Sequence, residues 1–270
     1  MTVTTTTALP VPAEHRSRLA WAVSDAVTIA QRNITALFRV PTTLVFSTIQ
    51  PVIFVLMFRY VFGGSIRVPG VRYVDFLMAG IFVQTVTFGS INTGVGLAED
   101  LSKGLIERFR SLAMARSAVL AGRTLADTAR NLFVIVLMVL VGFLVGFRVH
   151  TNVFGFLAAV GIMLLFGFAM SWVMANLGLR AGTAEGAQAA AFPIMALLVF
   201  ASDAFVPTAN MPRLLRLYSE HQPVTAAVDA VRALTMGGPT TGKVLTSLAW
   251  SLAIVAVFAP MAVRRYRRTA

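Results

Sequence analysis

The amino-acid sequence predicts an all-α polytopic membrane protein, first of all because of its composition. Hydrophobic residues make up 57% of the 270 residues and charged residues only 13%, and the mean hydropathy is +0.78. A soluble globular domain contains about 45–50% apolar and about 25% charged residues. The apolar residues also occur in runs of about 20, the length of a helix that crosses a hydrocarbon core about 30 Å thick. Both observations favour a membrane protein over a soluble domain.

Six apolar segments are long enough to be transmembrane helices. They lie near 42–63, 74–97, 126–147, 153–179, 187–206 and 244–263. Pro51 and Pro193 fall within the first and fifth segments, where proline kinks a membrane helix without forbidding it. The second segment is unusually rich in glycine and in polar residues, among them Gln84 and Asn92. Such residues are typical of close helix contacts, so this helix is predicted to face protein rather than lipid.

The segments outside these spans have different compositions. Residues 1–16 are rich in Thr and Pro and have no basic start followed by an apolar core, so they are predicted to be a disordered cytosolic tail rather than a signal peptide. Residues 17–39 have apolar residues at helical spacing and arginines on the opposite face, which predicts an amphipathic helix in the membrane interface. Residues 264–270 are predicted to be a basic cytosolic tail.

The positive charges predict an orientation in the membrane. If the N-terminus is inside, the inner segments hold fifteen of the 23 Lys and Arg residues and the outer segments hold eight. Cytoplasmic segments of membrane proteins carry an excess of these residues, so both termini are predicted to be cytoplasmic. The net charge of +12 then reflects anchoring to anionic lipid rather than nucleic-acid binding, since the basic residues do not gather in a soluble module.

Residues 99–116, EDLSKGLIERFRSLAMAR, are predicted to form a short amphipathic helix on the cytoplasmic side. Its apolar residues recur at helical spacing, and Glu99 can pair with Lys103, and Glu107 with Arg110, on the charged face. One interpretation is a solvated interfacial helix. The other is a docking surface for a cytosolic partner, because apolar residues beside charges of both signs provide affinity and register.

Residues 207–236 are predicted to lie on the outer side, although they are too apolar for a free loop. Pro212 and Pro223 interrupt this segment. Backbone that is not helical is tolerated at membrane depth only where it is packed on protein. The segment is therefore predicted to form short helices that pack against the spans.

Two stretches of the sequence resemble a known family. EDLSKGLIERFRSLAMARSAVLAGR resembles the cytoplasmic loop of ABC-2 type exporter permeases, in particular those of the daunorubicin-resistance branch. FVPTANMPRLLRLYSEHQPVTAAVDAVRAL, residues 205–234, resembles the outer segment of that branch, with paired turns at Met211-Pro212 and Gln222-Pro223. With the interfacial helix and six spans, the resemblance covers nearly the whole chain after about residue 16.

The resemblance implies a type V exporter fold: six spans with an N-terminal interfacial helix, a cytoplasmic coupling helix and outer re-entrant helices. It also implies that two permease subunits, identical or different, work with two copies of a cytosolic ABC ATPase. The ATPase-coupling surface would then be formed by Lys103, Glu107, Arg108, Phe109, Arg110 and Arg116.

A substrate path is predicted between the two subunits, lined by the second and fifth spans. The candidate residues are Gln84, Thr87, Asn92, Phe192 and Phe200. The candidate outer gate comprises Phe205, Pro207, Met211, Pro212, His221 and Pro223. The leading hypothesis for function is the permease subunit of an ATP-driven exporter that moves amphiphilic drugs, antibiotics or lipids outward across a bacterial plasma membrane.

Three alternatives stay open. A polysaccharide or glycolipid exporter is the nearest, although no aromatic-rich path is evident in the sequence. A secondary transporter normally needs an ionisable group deep within a span, whereas Asp127 and Asp203 lie near span ends. A nonconducting membrane scaffold is the third alternative.

Catalysis by this chain itself is not predicted. GGPTTGKV, residues 237–244, is close to the phosphate-binding pattern G-x-x-x-x-G-K-[ST], but Val244 replaces the hydroxyl that would hold magnesium and no buried strand precedes it. It is interpreted as a turn. The three histidines lie in separate connections and cysteine is absent, so no metal site is expected. The chain is expected to bind no cofactor, with ATP and Mg²⁺ bound by the partner ATPase.

Overall fold

A computed structural model describes residues 41–64, 66, 68, 70–104 and 116–269, with the backbone alone for 41–47, 116–119, 121, 267 and 269. The described part of the chain is helical and contains no β-strand, which confirms the all-α prediction. The predicted tail 1–16 and the predicted interfacial helix 17–39 lie outside the described residues.

The helices follow one another through short connections. They are α1 (Pro41–Leu56, continued by a π-helical turn, Met57–Phe62), α2 (Tyr73–Gly89), α3 (Ile91–Ser102), α4 (Arg116–Leu144), α5 (Val153–Ala181), α6 (Ala184–Phe200), a 3₁₀ turn (Thr208–Asn210), α7 (Arg213–Glu220), α8 (Pro223–Met236) and α9 (Thr241–Thr269). Helices α2 and α3 meet at Ser90 and together form one long segment.

Four helical segments of the described chain are long and apolar enough to cross a membrane. They are Tyr73–Ser102, Gly122–Leu144, Val153–Ala181 and Thr241–Tyr266. The fifth predicted span corresponds to a shorter apolar helix, Ala184–Phe200. The first corresponds to α1 with its π-helical turn, Pro41 to Phe62, in which side chains are described from Thr48 onward. At 1.5 Å per residue, the 17 residues of α6 extend about 26 Å, which is less than the usual hydrocarbon thickness. A total of six transmembrane spans therefore stays a prediction.

The segment Tyr73–Ser102 lies inside the helical bundle. Protein buries 83% of its apolar stretch, against 17% for Thr241–Tyr266. Helix α5 packs against α3 and α2, and also against α4, α6, α8 and α9. The prediction that the second span faces protein rather than lipid is confirmed.

Glycine allows the closest of these helix contacts. A Cβ atom on Gly178 of α5 would overlap the carbonyl oxygen of Gly94 on α3, and a Cβ on Gly94 would lie 2.5 Å from the carbonyl oxygen of Met174. Near the other end of the segment, a Cβ on Gly80 would overlap the backbone of Ala204. Backbones approach this closely in membrane proteins where both partners are small.

One predicted boundary was wrong. The fifth segment was predicted to continue to residue 206, but α6 ends at Phe200. The chain turns there because the Ser202 hydroxyl donates to the Val199 carbonyl and accepts from the Ala204 N–H, in place of continued helix bonds. The basic tail predicted at 264–270 is helical through Thr269. Arginine is a good helix former, and positive charge is favourable at a helix C-terminus.

The contact between α3 and α5 predicts how alanine substitutions will behave. Gly178→Ala is expected to lower the free energy of unfolding by about 1–3 kcal/mol, because the added methyl group forces two backbones apart. Gly161→Ala on the same helix is the control, since nothing lies within 4 Å of a Cβ there. Its effect is expected to stay within about 1 kcal/mol. Unfolding in mixed micelles with increasing sodium dodecyl sulfate measures both, and equal effects would contradict the close contact.

Candidate transport path and coupling surface

Lys103 is the one predicted coupling residue whose side chain the structure describes. Its ammonium donates to Glu99 Oε1 at 2.5 Å, which confirms the predicted pair. This hydrogen bond, followed by the Coulomb attraction of the same carboxylate, raises the pKa of Lys103 above its usual range. Residues 107–110, with Glu107, Arg108, Phe109 and Arg110, lie outside the described residues, and only the backbone of Arg116 is described.

A second ion pair joins the same end of α3 to α4. Arg123 Nη1 donates to Asp100 Oδ2, and both side chains are largely buried. The guanidinium lies against Gly96, where a Cβ atom would overlap it. The sequence analysis did not identify this pair because its members are 23 residues apart. The pair fixes the C-terminal end of the buried segment against α4.

The polar residues of the second span mostly satisfy one another within the helix. The hydroxyls of Thr85 and Thr87 donate to the carbonyls four residues earlier, at 2.7 and 2.6 Å. The Ser90 hydroxyl donates to the Thr87 carbonyl at 2.6 Å. Thr87 is completely buried, so its predicted place on a substrate path is not accessible in this conformation.

A cavity of about 100 Å³ lies where α2 meets α3. It is lined by Gln50, Pro51, Gln84, Thr85, Phe88, Gly89, Asn92, Arg130, Asn131 and Val134. Gln84 and Asn92 from the predicted path are therefore brought together, whereas Thr87 is not part of the lining. Gln84 is buried, and its Oε1 has no hydrogen-bond partner among the described residues. The sequence analysis missed Arg130 because it counted this arginine among the inner-segment charges.

Aromatic rings cluster beside the outer end of α6. Phe205 stacks on Phe58 with 4.6 Å between ring centroids and on Phe200 with 5.5 Å. Phe54 lies 6.0 Å from the rings of both Phe200 and Phe205. These four residues, Phe54, Phe58, Phe200 and Phe205, are called the aromatic cluster below. Phe192 is separate from it and lies 5.8 Å from Phe88, which lines the cavity.

A buried ion pair holds α8 against the end of α6. Arg232 Nη1 donates to Asp203 Oδ2 at 2.6 Å, and Nη2 donates to the Asp203 carbonyl at 2.6 Å. Nε donates to the Phe76 carbonyl at 3.3 Å, and the guanidinium carbon lies 3.5 Å from the centre of the Phe76 ring. Arg232 and Asp203 are only 5% and 8% exposed. Their charges therefore depend on each other for stabilisation.

Asp75, near the start of α2, joins the connections before α2 and between α4 and α5. Its carboxylate accepts from Arg72 Nε at 2.9 Å and from the backbone N–H of Arg148 at 3.0 Å, and His150 Nε2 lies 3.0 Å away. The backbone N–H of His150 in turn donates to the Thr235 carbonyl at 2.8 Å. The sequence indicated this junction only by an acidic residue, Asp75, at the start of a long apolar segment, and the sequence-based prediction did not include it.

The predicted outer-gate residues occupy unlike environments. Phe205 is buried in the aromatic cluster, while Pro212 and His221 are exposed at the two ends of α7. Pro223 is the first residue of α8, the position where its missing N–H costs no helix bond. Pro207 and Met211 flank the 3₁₀ turn. A gating role for these residues stays a prediction.

The GGPTTGKV stretch is a turn between two helices, as interpreted from the sequence. Helix α8 ends at Met236, and Gly237 and Gly238 have φ angles of 94° and 106°, which glycine adopts readily. Lys243 lies in the first turn of α9 with its ammonium 3.5 Å from Asp229 Oδ1. Across the described ranges, no three His, Asp or Glu residues are grouped closely enough to hold a metal ion.

The buried pair at Arg232 predicts a large effect for removing one partner. Asp203→Ala is expected to lower the free energy of unfolding by about 3–5 kcal/mol, because it leaves a buried guanidinium without its counter-charge. Glu220→Ala is the control, since it removes a carboxylate from the exposed Arg216–Glu220 pair and should cost at most about 0.5 kcal/mol.

The double variant Asp203→Ala with Arg232→Met should recover part of the loss, since no unpaired charge remains. Unfolding in sodium dodecyl sulfate micelles measures all three variants. Similar losses for Asp203→Ala and Glu220→Ala would show that the buried pair is not important for stability.

Comparison with known proteins identifies the family. The profile of the family described as ABC-2 type transporter matches residues 25–236. The chain is 34% identical over 255 residues to the daunorubicin resistance ABC transporter permease protein DrrB1 of Streptomyces coeruleorubidus, covering 94% of this chain and 90% of that protein. It is 27% identical over 256 residues to the probable doxorubicin resistance ABC transporter permease protein DrrC of Mycobacterium tuberculosis, covering 90% of this chain and 89% of that protein. With its apolar helices, the chain is a multi-pass membrane protein that belongs to the ABC-2 type transporter family.

Proposed function

We propose that this chain is the membrane-spanning permease subunit of an ATP-driven ABC exporter for amphiphilic drugs, antibiotics or lipids. The observation that carries this proposal is the 34% identity to a daunorubicin resistance permease across 94% of the chain. Apolar pockets discriminate weakly among amphiphiles, so the relative's name indicates a class of substrate rather than one compound. ATP and Mg²⁺ are bound by a separate ABC ATPase, of which two copies act with two permease subunits.

The proposed topology has six spans in a bacterial plasma membrane, with both termini in the cytoplasm. α1 and its π-helical turn together extend from Pro41 to Phe62, long enough for a span, and α6 would cross where the bilayer is locally thin. Four arginines line one groove at the proposed inner end, namely Arg180, Arg264, Arg265 and Arg268. This concentration of arginine supports a cytoplasmic location for the C-terminus.

The proposed substrate path runs along the face formed by α1 and α6. Phe192 and Phe200 are 54% and 48% exposed on this face, and Asn92 is exposed beside it. Gln84 would be reached through the cavity, whereas Thr87 would contact substrate only after the helices rearrange. The aromatic cluster, which includes Phe205, would form the inner part of the outer gate.

Transport by the purified complex tests this proposal. The permease and its partner ATPase are reconstituted in liposomes, and daunorubicin fluorescence is followed on both sides of the membrane. We expect export that requires ATP and is lost with a hydrolysis-deficient ATPase, but persists when the proton gradient is dissipated.

Other outcomes would identify the alternatives. Export driven by the proton gradient without ATP would indicate a secondary transporter. Movement of a labelled glycan in place of the drug would indicate a polysaccharide or glycolipid exporter. A complex in which neither drugs nor lipids alter the ATPase rate would indicate a scaffold.

Charge reversal tests the proposed coupling surface. The double variant Glu107→Arg with Arg110→Glu should reduce drug-stimulated ATPase activity and export at least about tenfold. The reversal places like charges opposite each other at the docking surface, which disfavours the complex. The matched control reverses an acid and an arginine on the outer side, Arg216→Glu with Glu220→Arg, and should retain activity. Unchanged stimulation by the first variant, with normal membrane insertion, would remove residues 107–110 from the coupling surface.

A further inference from the structure

Arg130 is a charged residue in the middle of a membrane-crossing helix. It lies fourteen residues from each end of α4 (Arg116–Leu144), or about 21 Å at 1.5 Å per residue. Its side chain is only 6% exposed. A guanidinium at this depth is costly unless other groups compensate its charge, and such residues usually serve a function.

The described residues compensate this charge only in part. Arg130 Nη2 donates to the carbonyl oxygen of Gly89 at 2.5 Å, which caps the end of α2. Its Nε is buried without a hydrogen-bond partner, and no carboxylate of a described residue lies within ion-pairing distance. Asp127, one turn earlier, accepts from the Thr93 hydroxyl at 2.5 Å instead. The helix cap therefore uses one of five N–H donors, and the guanidinium has no ion-pair partner within the described part of the chain.

The cavity beside Arg130 has the composition of an anion site. Its polar lining consists of Arg130 together with neutral amides and a threonine, and it contains no acidic residue. Gln84, 2% exposed, has an unpartnered Oε1, and rotation of this amide would present its NH₂ group to a ligand instead. A volume of about 100 Å³ equals that of about three waters, each of which occupies about 30 Å³ in the liquid. Gln50 and Asn92, both exposed, form its open side.

We propose that this cavity binds an oxyanion, the phosphate or carboxylate head of an amphiphile, with Arg130 as the counter-charge and Gln84 and Asn131 as hydrogen-bond donors. The apolar chain of the ligand leaves past Gln50 and Asn92 along the side of the bundle. Phe88, Pro51 and Val134 supply the apolar wall. A cationic head is disfavoured here, because it would place two positive charges together in a site of low dielectric constant.

The site follows from this subunit alone and does not rest on the proposed function. The anionic head could belong to a resident membrane phospholipid or to a transported amphiphile, and both have the same chemistry. Calorimetry on the full-length permease in a neutral detergent tests binding directly. The probe is dihexanoyl phosphatidic acid, and dihexanoyl phosphatidylcholine, whose phosphate is masked by a cationic choline, is its control.

Phosphatidic acid is expected to bind at least about tenfold more tightly than phosphatidylcholine, because charged hydrogen bonds to a buried guanidinium are strong. Arg130→Gln should lose that preference. Arg213→Gln is the matched control, because it removes the same charge from an exposed position and should change affinity less than about twofold. Equal binding of the two lipids, or equal losses in the two variants, would overturn the site and leave Arg130 as a helix cap beside a hydrated cavity.

A second pair of variants decides the question if Arg130→Gln does not fold. Gln50→Trp should block the open side of the cavity and weaken phosphatidic acid binding by at least about tenfold, while Gln50→Ala should retain it. Gln50 is exposed, so neither change disturbs the core. Unchanged affinity in Gln50→Trp would overturn the proposal.

A further experiment distinguishes a transported amphiphile from a resident membrane phospholipid. Fluorescent short-chain phosphatidic acid is followed in liposomes that contain the permease and its ATPase. ATP-dependent movement to the other leaflet identifies a transported amphiphile, and binding without movement identifies a resident headgroup. Both results support the site. If the complex binds phosphatidic acid but does not export daunorubicin, only the proposed function is contradicted.

Discussion

The close contact of Gly94 with Gly178 is the constraint on which the rest of the bundle depends. It places the backbone of α3 against α5 and thereby encloses the segment Tyr73–Ser102 in protein. A polar group enclosed at membrane depth must find a partner within the protein. Thr85 and Thr87 find theirs on the same helix. At the junction of α2 and α3 the carbonyl of Gly89 accepts from the side-chain amide of Asn92 at 3.2 Å and, across the bundle, from Arg130 Nη2 at 2.5 Å. A charged residue deep in the bundle is thus a consequence of an enclosed helix junction.

The same reasoning applies at the opposite end of the segment. Gly80 lets the backbone of Ala204 approach α2, so the chain after α6 turns inside the protein rather than in lipid. The turn exposes carbonyls that no helix bond satisfies, and Arg232 donates to those of Asp203 and Ala204. The Asp203 carboxylate provides the counter-charge that Arg130 lacks. Two buried arginines therefore cap interrupted backbone, and among the described residues only Arg232 has a carboxylate as an ion-pair partner.

Sequence reasoning succeeded where a local pattern determines the structure. The length of apolar runs located the helices, the polar and small residues of 74–97 indicated an enclosed helix, and paired glycines identified the turn at 237–240. Sequence reasoning failed where residues far apart in the sequence determine where a helix ends or how a charge is balanced. The end of α6 depends on Arg232, about 30 residues later, and the charge balance of Arg130 depends on which side chains surround it in the bundle. The positive-inside count treats every arginine alike, so it concealed one that lies within a span. The candidate coupling residues at 107–110 stay predictions.

The enclosure of Tyr73–Ser102 also limits how an exporter built from this subunit can move. A helix packed on all sides and held at both ends moves as a rigid body or not at all, because packed cores are not continuously deformable. One end is joined to α4 by the Asp100–Arg123 pair, and the other is joined through Asp75 to the connections before α2 and between α4 and α5. A displacement imposed at one end would therefore be carried toward the other, about 45 Å away at 1.5 Å per residue, through the junction of α2 and α3 at Ser90. α1 and α6 are less enclosed, and α1 contains a π-helical turn of the kind often found at functional positions. α1 with its π-helical turn and α6 carry three of the four rings of the aromatic cluster, so an opening of the bundle is expected there rather than along the enclosed segment.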